Sequence, residues 1–340
     1  MRIIDVRACQ PACASPPDWR TSLGQILVAV DTDAGLTGYG VGGGGLSAIH
    51  IIRTVLRDLL MGRDPEPIDV LWRDMYRATL PFGRKGVAIM ALSGVDLALW
   101  DLRGKAERRS VVERLGGVRH REIPTYGTAW DIIPDDMVGR HAGYKLHLGQ
   151  VNDAELVEAT ARARARVGMT RLLMVDAWMR WDVPRTLRYA EAVEALQLHW
   201  IEEPLPPDDI NGYAELVRSC PIPIAGGEHE FTAAAFRELI QWQLHHIVQP
   251  DVCWCGGMTQ LVEIYRVAAE HNVRVCPHRG AEVWSLPALA ALDPQPLAES
   301  GRPWMTWVGG QPPIRDGWIE APDGPGFGVT IDEAKLDVLY

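Results

Sequence analysis

An α/β barrel preceded by a smaller α+β unit is the architecture this sequence predicts, and three observations carry the prediction. At 340 residues the chain exceeds what one compact core usually supports, which points to a barrel-sized domain with an accessory unit. Beyond Arg121, eight short apolar or β-branched runs alternate with Ala- and Glu-rich helical stretches, the pattern of parallel strands joined by crossover helices. Polar residues close those runs in phase, as expected where the strand ends of a closed (β/α)₈-type barrel form one face.

In chain order, the segment Gln25 to Tyr39, QILVAVDTDAGLTGY, is an apolar run, an Asp-Ala-Gly turn and a second run, hence a β-hairpin. The pattern turns helical from Ser47 to Leu60, breaks at Asp64-Pro65-Glu66-Pro67, and resumes through Trp72 and Tyr76. Val87 to Leu102 is apolar nearly all round, which predicts a buried helix. Strands follow at Ile123–Gly127, Tyr144–Leu148, Leu172–Asp176, His199–Glu203, Pro223–Gly227, His246–Pro250, Val273–Pro277 and Leu297–Glu299. Helical patterns lie between them, among others at Asp153–Val167, Pro184–Ala195, Ala233–Leu239 and Gly257–His271. The Gly- and Pro-containing tail from Ile314 to Phe327 is expected to return onto the first unit. Residues 1–118, completed by about 314–340, then form the N-terminal α+β domain, and 119–313 form the barrel.

Composition narrows the function. Hydrophobic residues make up 47% and charged residues 23%, close to the globular average, and no apolar run approaches the ~20 residues that span a bilayer. A formal charge of −10, from 34 Lys and Arg against 44 Asp and Glu, argues against a nucleic-acid footprint. The N-terminal stretch MRIIDVRACQPACASPP lacks the apolar core of a secretory signal, so a cytoplasmic protein is expected. Six cysteines, thinly spread, read as reduced packing residues, and the C-x-C at Cys253 and Cys255 lacks further ligands for a metal.

The strand ends carry the chemistry. Asp176, Glu202, Glu228, Asp251 and His278 follow one another at intervals of 26, 26, 23 and 27 residues, one strand-helix unit each. Asp176, Glu202 and Glu228 would converge as three negative charges, and hard carboxylate oxygens without Cys or paired His select Mg²⁺. Any one such acid could equally cap the helix that follows it. His278 and Asp251 lie on neighbouring strands, where the carboxylate would fix the imidazole tautomer and raise its basicity, the arrangement of a general base. Lys145 and His147 are two apart on one strand, so both face the site or neither does; Lys145 could be a second base, a carboxylate partner or part of a rim salt bridge. Glu299, if protonated, could donate to a substrate oxygen, and otherwise it is an ordinary helix-start carboxylate.

The order of K-x-H at Lys145 and His147, VDAW, IEEP, GGEHE, QPD, CPH and LAES resembles the enolase superfamily in its mandelate racemase branch. It is most similar to acid-sugar dehydratases of the L-rhamnonate dehydratase type. The likeness spans nearly the whole chain, including WIEEPLPPDDINGYAEL, GGEHEFT, IVQPDVCWCGGMTQL and the closing GPGFGV. The resemblance implies a modified TIM barrel of (β/α)₇β form under an N-terminal α+β capping domain. It further implies the superfamily's general chemistry of a Lys or His base with one or two Mg²⁺ ions. On that basis Mg²⁺ sits on Asp176, Glu202 and Glu228, and His278, held by Asp251, removes the proton α to a substrate carboxylate. Glu299 would donate a hydrogen bond, and loss of the 3-hydroxyl of an aldonate or aldarate would give a 2-keto-3-deoxy acid. His229 is implied as a sugar contact, and the loop from Ser15 to Ser22, with Trp19 and Arg20, as the specificity loop.

The pattern departs from relatives at three places. Trp178 stands where many carry Asn, although Asp-x-Trp also suits the rhamnonate dehydratase type. His147 replaces the second Lys of the K-x-K of racemizing relatives, so racemisation, epimerisation or cycloisomerisation through the same site stays open. The only His before residue 120 is His50, whereas rhamnonate dehydratases present one in the specificity loop. The expected partner is a small carboxylate, with no nucleic acid and no membrane, and the resemblance implies a homo-oligomer, a dimer or octamer.

Overall fold

The computed structural model describes residues 1–11, 24–300 and 307–336. Strands β1 (Ile3–Cys9), β2 (Ile26–Thr32) and β3 (Thr37–Gly42) form an antiparallel sheet in that order. The expected hairpin is β2–β3. The sequence gives no clean signal for β1, because a register shift between Ile3 and Asp5 interrupts the period-2 alternation that marks a half-buried strand. Helix α1 (Gly45–Ile51) passes through a π-helical turn at Ile52–Leu56 into α2 (Arg57–Leu60). Helices α3 (Ile68–Thr79), α4 (Val87–Glu107) and the short α5 (Val111–Arg114) follow.

Helix α4 lies directly on β3 because β3 offers glycine at every second position. A Cβ on Gly38, Gly40 or Gly42 would stand 2.1, 2.2 and 2.5 Å from the carbonyl oxygens of Ala98, Gly94 and Met90. Those neighbours are helix backbone and cannot rotate away. Gly40→Ala is therefore expected to cost about 1–3 kcal/mol, as overpacking does. The check is a lower urea midpoint with an unchanged slope.

All eight expected barrel strands form. They are β4 (Glu122–Trp130), β5 (Gly143–His147), β6 (Leu172–Asp176), β7 (Ile201–Glu202), β8 (Ile224–Gly226), β9 (Ile247–Val248), β10 (Arg274–Val275) and β11 (Ala298–Ser300). Each pairs in parallel with its neighbour, in the order β10-β9-β8-β7-β6-β5-β4-β11. Between β10 and β11 the Cys276 thiol reaches the Leu297 carbonyl at 3.4 Å. Helices α6 (Asp153–Val167), α7 (Val183–Val193), α8 (Ile210–Ser219), α9 (Thr232–Gln241), α10 (Gly257–Glu270) and α11 (Leu286–Ala291) make the connections from β5 onward. Residues 131–142 join β4 to β5 by turns instead of a helix.

A layer of Tyr126, Met174, Trp200, Ala225, Ile247, Cys276 and Leu297 fills the barrel. This layer floors the polar strand ends above it. The tail serves both units. Trp318–Glu320 pairs antiparallel with the start of β4, while Gly326 exchanges backbone bonds with Arg109 and Val111. We take 1–118 as the capping unit and 119–313 as the barrel, with the tail closing both. Among the described residues no helix is long and apolar enough to cross a membrane.

Candidate active site

Strand register brings the acids together. His147 lies level with Asp176, and Asp176 level with Glu202, on three adjacent strands. Glu228 follows β8 after Gly227, whose φ of +120° suits glycine. Lys145, His147, Asp176, Glu202, Glu228, Asp251, His278 and Glu299 are all buried. The strand-end acids are not helix caps. That task falls to Asn152, Asp182 and Asp209, which accept from the amides of Glu155, Arg185 and Gly212.

A lysine holds the cluster together. Lys145 Nζ lies 2.5 Å from Glu202 Oε1, 2.9 Å from Glu299 Oε1 and 3.9 Å from Asp176 Oδ2. Burial opposes its charge, but the surrounding carboxylates prevail and hold it firmly protonated. Glu202 also accepts from Trp200 Nε1 at 3.0 Å and from Gln249 Nε2 at 2.7 Å. Burial and the neighbouring Glu202 charge raise Asp176 far above the usual carboxylate range. This cluster carries more negative charge than its own cation neutralises.

His278 faces the cluster from the other side. Its Nδ1 is 2.8 Å from Asp251 Oδ2, and its Nε2 is 3.2 Å from Glu228 Oε2. Burial pulls its pKa down, but Glu228, the bond to Asp251 and Glu299 push it up to about 10. Asp251 is itself tightly held. Arg279 donates to its Oδ2 from Nε at 2.9 Å and Nη2 at 2.6 Å, and the Cys253 amide donates to Oδ1 at 2.7 Å.

Glu299 differs from the donor that the resemblance implies. Thr128 Oγ1, at 2.5 Å, and the Arg279 amide, at 2.9 Å, both donate to it alongside Lys145. Burial works against its charge, yet Lys145, His278 and these donors hold its carboxyl well below the usual range. It is an ionised acceptor here.

His147 sits between two tryptophans. The Trp130 ring stacks on it at 4.0 Å and the Trp178 ring lies at 5.7 Å. Burial, helped by the Lys145 charge, lowers its pKa to about 4, so the imidazole is neutral. Its Nε2 stands 3.7 Å from Asp176.

His229, the expected sugar contact, is engaged by acids. Its Nδ1 is 2.7 Å from Glu203 Oε2 and 3.6 Å from Glu228 Oε1. Burial lowers its pKa, but the bond to Glu203 and the Glu228 charge outweigh this and raise it to about 9. The trio Glu203, Glu228 and His229 offers ligand atoms within 4.8 Å of one another, while strand register sets Asp176, Glu202 and Glu228 on consecutive strand ends. Beside them Glu230 pairs with Lys85 of the capping unit at 2.8 Å.

The capping unit also fixes the loop that carries Asp251. Trp72 Nε1 donates to the Gly256 carbonyl at 2.8 Å, and the Gly256 amide donates to Ser93 Oγ at 2.9 Å. Asp96 accepts from the Thr259 amide at 3.0 Å and from its hydroxyl at 2.5 Å. Ser93 and Asp96, three apart on α4, thus receive amides at the start of α10 that have no partner within the helix.

The eight catalytic and metal-ligand candidates of the barrel gather at one place, with His229 beside them. Trp19, Arg20 and the loop Ser15 to Ser22 lie outside the described residues. Sequence reasoning missed Glu203 and Arg279. Each is the next residue after an expected one, and a left-handed backbone, φ 37° and 52°, turns it back toward the site. The doubled acid in IEEP and the charged pair in CPHR were the available signals.

The chain matches known proteins along most of its length. Residues 135–335 match the family model described as Enolase C-terminal domain-like, and residues 14–116 match that of the mandelate racemase / muconate lactonizing enzyme N-terminal domain. A racemase from Streptomyces coelicolor A3(2), solved with bound magnesium, is 29% identical over 98% of both chains with a TM-score of 0.89. The 3,6-anhydro-D-galactonate cycloisomerase from Zobellia galactanivorans is 26% identical over 99% of both, TM-score 0.90. L-rhamnonate dehydratase from Gibberella zeae is 29% identical over 99% of this chain and 96% of its own, TM-score 0.89.

Proposed function

The chain belongs to the mandelate racemase branch of the enolase superfamily, and from that membership and the site we propose that it is a Mg²⁺-dependent acid-sugar dehydratase. Its substrate would be an aldonate or aldarate and its product a 2-keto-3-deoxy acid. The donor chemistry suits the metal. Asp176, Glu202 and Glu228 offer three buried hard oxygens on consecutive strands, where burial and the Glu202 charge raise the pKa of Asp176. Magnesium bound there would neutralise the cluster and polarise a substrate carboxylate, stabilising the charge that develops when the α-proton leaves.

The protein's own groups divide the remaining work. His278, its Nδ1 held by Asp251 and its Nε2 freed of a proton where a cation neutralises Glu228, would be the base that takes the α-proton at Nε2 and can return a proton to the departing 3-hydroxyl. Lys145 supplies fixed positive charge beside the carboxylate end, and Glu299 anchors it. His229, held by Glu203, presents its remaining N–H to the substrate hydroxyls.

An asymmetry between the two flanks of the carboxylate cluster supports elimination over racemisation. His278 has a carboxylate partner that fixes its tautomer, whereas Lys145 is occupied by two carboxylates and His147 is stacked between two tryptophans. Two-base inversion needs a free base on each face. A racemase or cycloisomerase acting through the same abstraction is the second reading, supported by comparable similarity to such enzymes. A panel of aldonic and aldaric acids with Mg²⁺, scored for 2-keto-3-deoxy product, tests the proposal. We expect a hit that EDTA abolishes and added Mg²⁺ restores. A blank panel with metal demonstrably bound would reject dehydration of these acids.

A further inference from the structure

We propose that Arg279 is a positioning residue for proton transfer, one that locks Asp251 by its guanidinium and Glu299 by its backbone amide. The proposal rests on the reading of His278 as the base. Three N–H groups meet at Asp251 Oδ2, from His278 Nδ1 at 2.8 Å and from Arg279 Nε and Nη2 at 2.9 and 2.6 Å. The other oxygen is taken by the Cys253 amide. With both oxygens engaged the carboxylate stays ionised and cannot turn, so His278 Nδ1 must remain the donor and Nε2 must face the site.

The backbone of Arg279 does a second task. Its amide donates to Glu299 Oε2 at 2.9 Å, which ties the carboxylate that holds Lys145 to the residue that holds the base pair. Serving both partners places Arg279 at φ 52°, a conformation other than glycine rarely takes unless the surroundings impose it. The side chain is 6% exposed, lies over the Trp254 ring at 5.3 Å, and has Glu282 at 3.9 Å. A surface ion pair would show none of these constraints. Lysine could supply the charge but not two N–H groups in one plane.

The test compares Arg279→Met and Arg279→Lys with wild type as full-length, Mg²⁺-loaded protein. Readouts are kcat and KM on the acid found in the panel, Mg²⁺ affinity by titration, and the imidazole N–H signals of ¹⁵N-histidine-labelled protein. We expect kcat in Arg279→Met to fall about 10- to 100-fold, the usual effect of removing such a supporting bond, with KM and Mg²⁺ affinity unchanged. The His278 Nδ1–H signal should broaden or vanish. Arg279→Lys should recover part of kcat. Should the Met variant not fold, a Lys variant with wild-type kcat overturns the proposal and one slower at unchanged KM upholds it. Should wild type process none of the acids, the dehydratase reading fails by itself, and the spectrum still decides. An unchanged Nδ1–H signal in the variants rejects the role of Arg279, and its loss sustains it.

Discussion

His278→Asn should lower kcat by about 10²- to 10⁴-fold, the contribution of a positioned proton-transfer group, with KM and Mg²⁺ affinity nearly unchanged. Asparagine keeps a side-chain N–H for Asp251 Oδ2, which His278 Nδ1 now approaches at 2.8 Å, so Asp251 keeps that partner. What disappears is Nε2, the ring nitrogen that faces Glu228 Oε2 at 3.2 Å and is placed to exchange the proton. A loss confined to kcat is the sign of an interaction made only on the way to the transition state. Steady-state kinetics with a metal titration checks it. Exchange of the α-proton at the wild-type rate in this variant would move the base to Lys145 or His147.

Asp176→Asn should act in opposite directions on metal binding and on stability. Loss of a direct charged ligand is expected to weaken Mg²⁺ by more than the about 10–100-fold that removing even an outer hydrogen bond costs. In metal-free protein the same change removes a carboxyl whose ionised form burial and Glu202 disfavour. The amide oxygen can still accept from the Trp178 amide, 2.8 Å from Asp176 Oδ1. The variant should then gain about 0.5–2 kcal/mol without metal, and lose the further rise in Tm that Mg²⁺ gives wild type. Thermal melts in EDTA and in Mg²⁺ separate the two effects. A variant less stable in EDTA and unaltered in its response to Mg²⁺ would place the cation elsewhere, with Glu203, Glu228 and His229 as the alternative set.

The barrel was legible because its period is long and its strand ends are chemically distinct. Asp176, Glu202, Glu228, Asp251 and His278 recur once per strand-helix unit, so a linear reading already puts them on one rim. Strand β1 was not legible, since its bulge at Ile3 to Asp5 breaks alternation. The strand count also says little about the chain between strands, and residues 131–142 join β4 to β5 by turns. Glu203 and Arg279 escaped because a left-handed backbone turns them back toward the site, and periodicity is blind to such a turn. The state of Glu299 also needed coordinates. A lone Glu at a strand end says nothing of the Thr128 hydroxyl and Lys145 ammonium that keep it ionised.

The most direct test of one-base, metal-dependent elimination is the fate of deuterium when an active acid is turned over in D₂O with Mg²⁺ and followed by NMR. Abstraction at C2 with loss of the 3-hydroxyl gives an enol that takes a solvent proton at C3 as it becomes the ketone. A 2-keto-3-deoxy product with deuterium at C3 and recovered substrate that keeps its C2 proton and configuration are therefore expected, with no product formed in EDTA. Recovered substrate deuterated and inverted at C2, with no keto acid formed, would contradict one-base elimination.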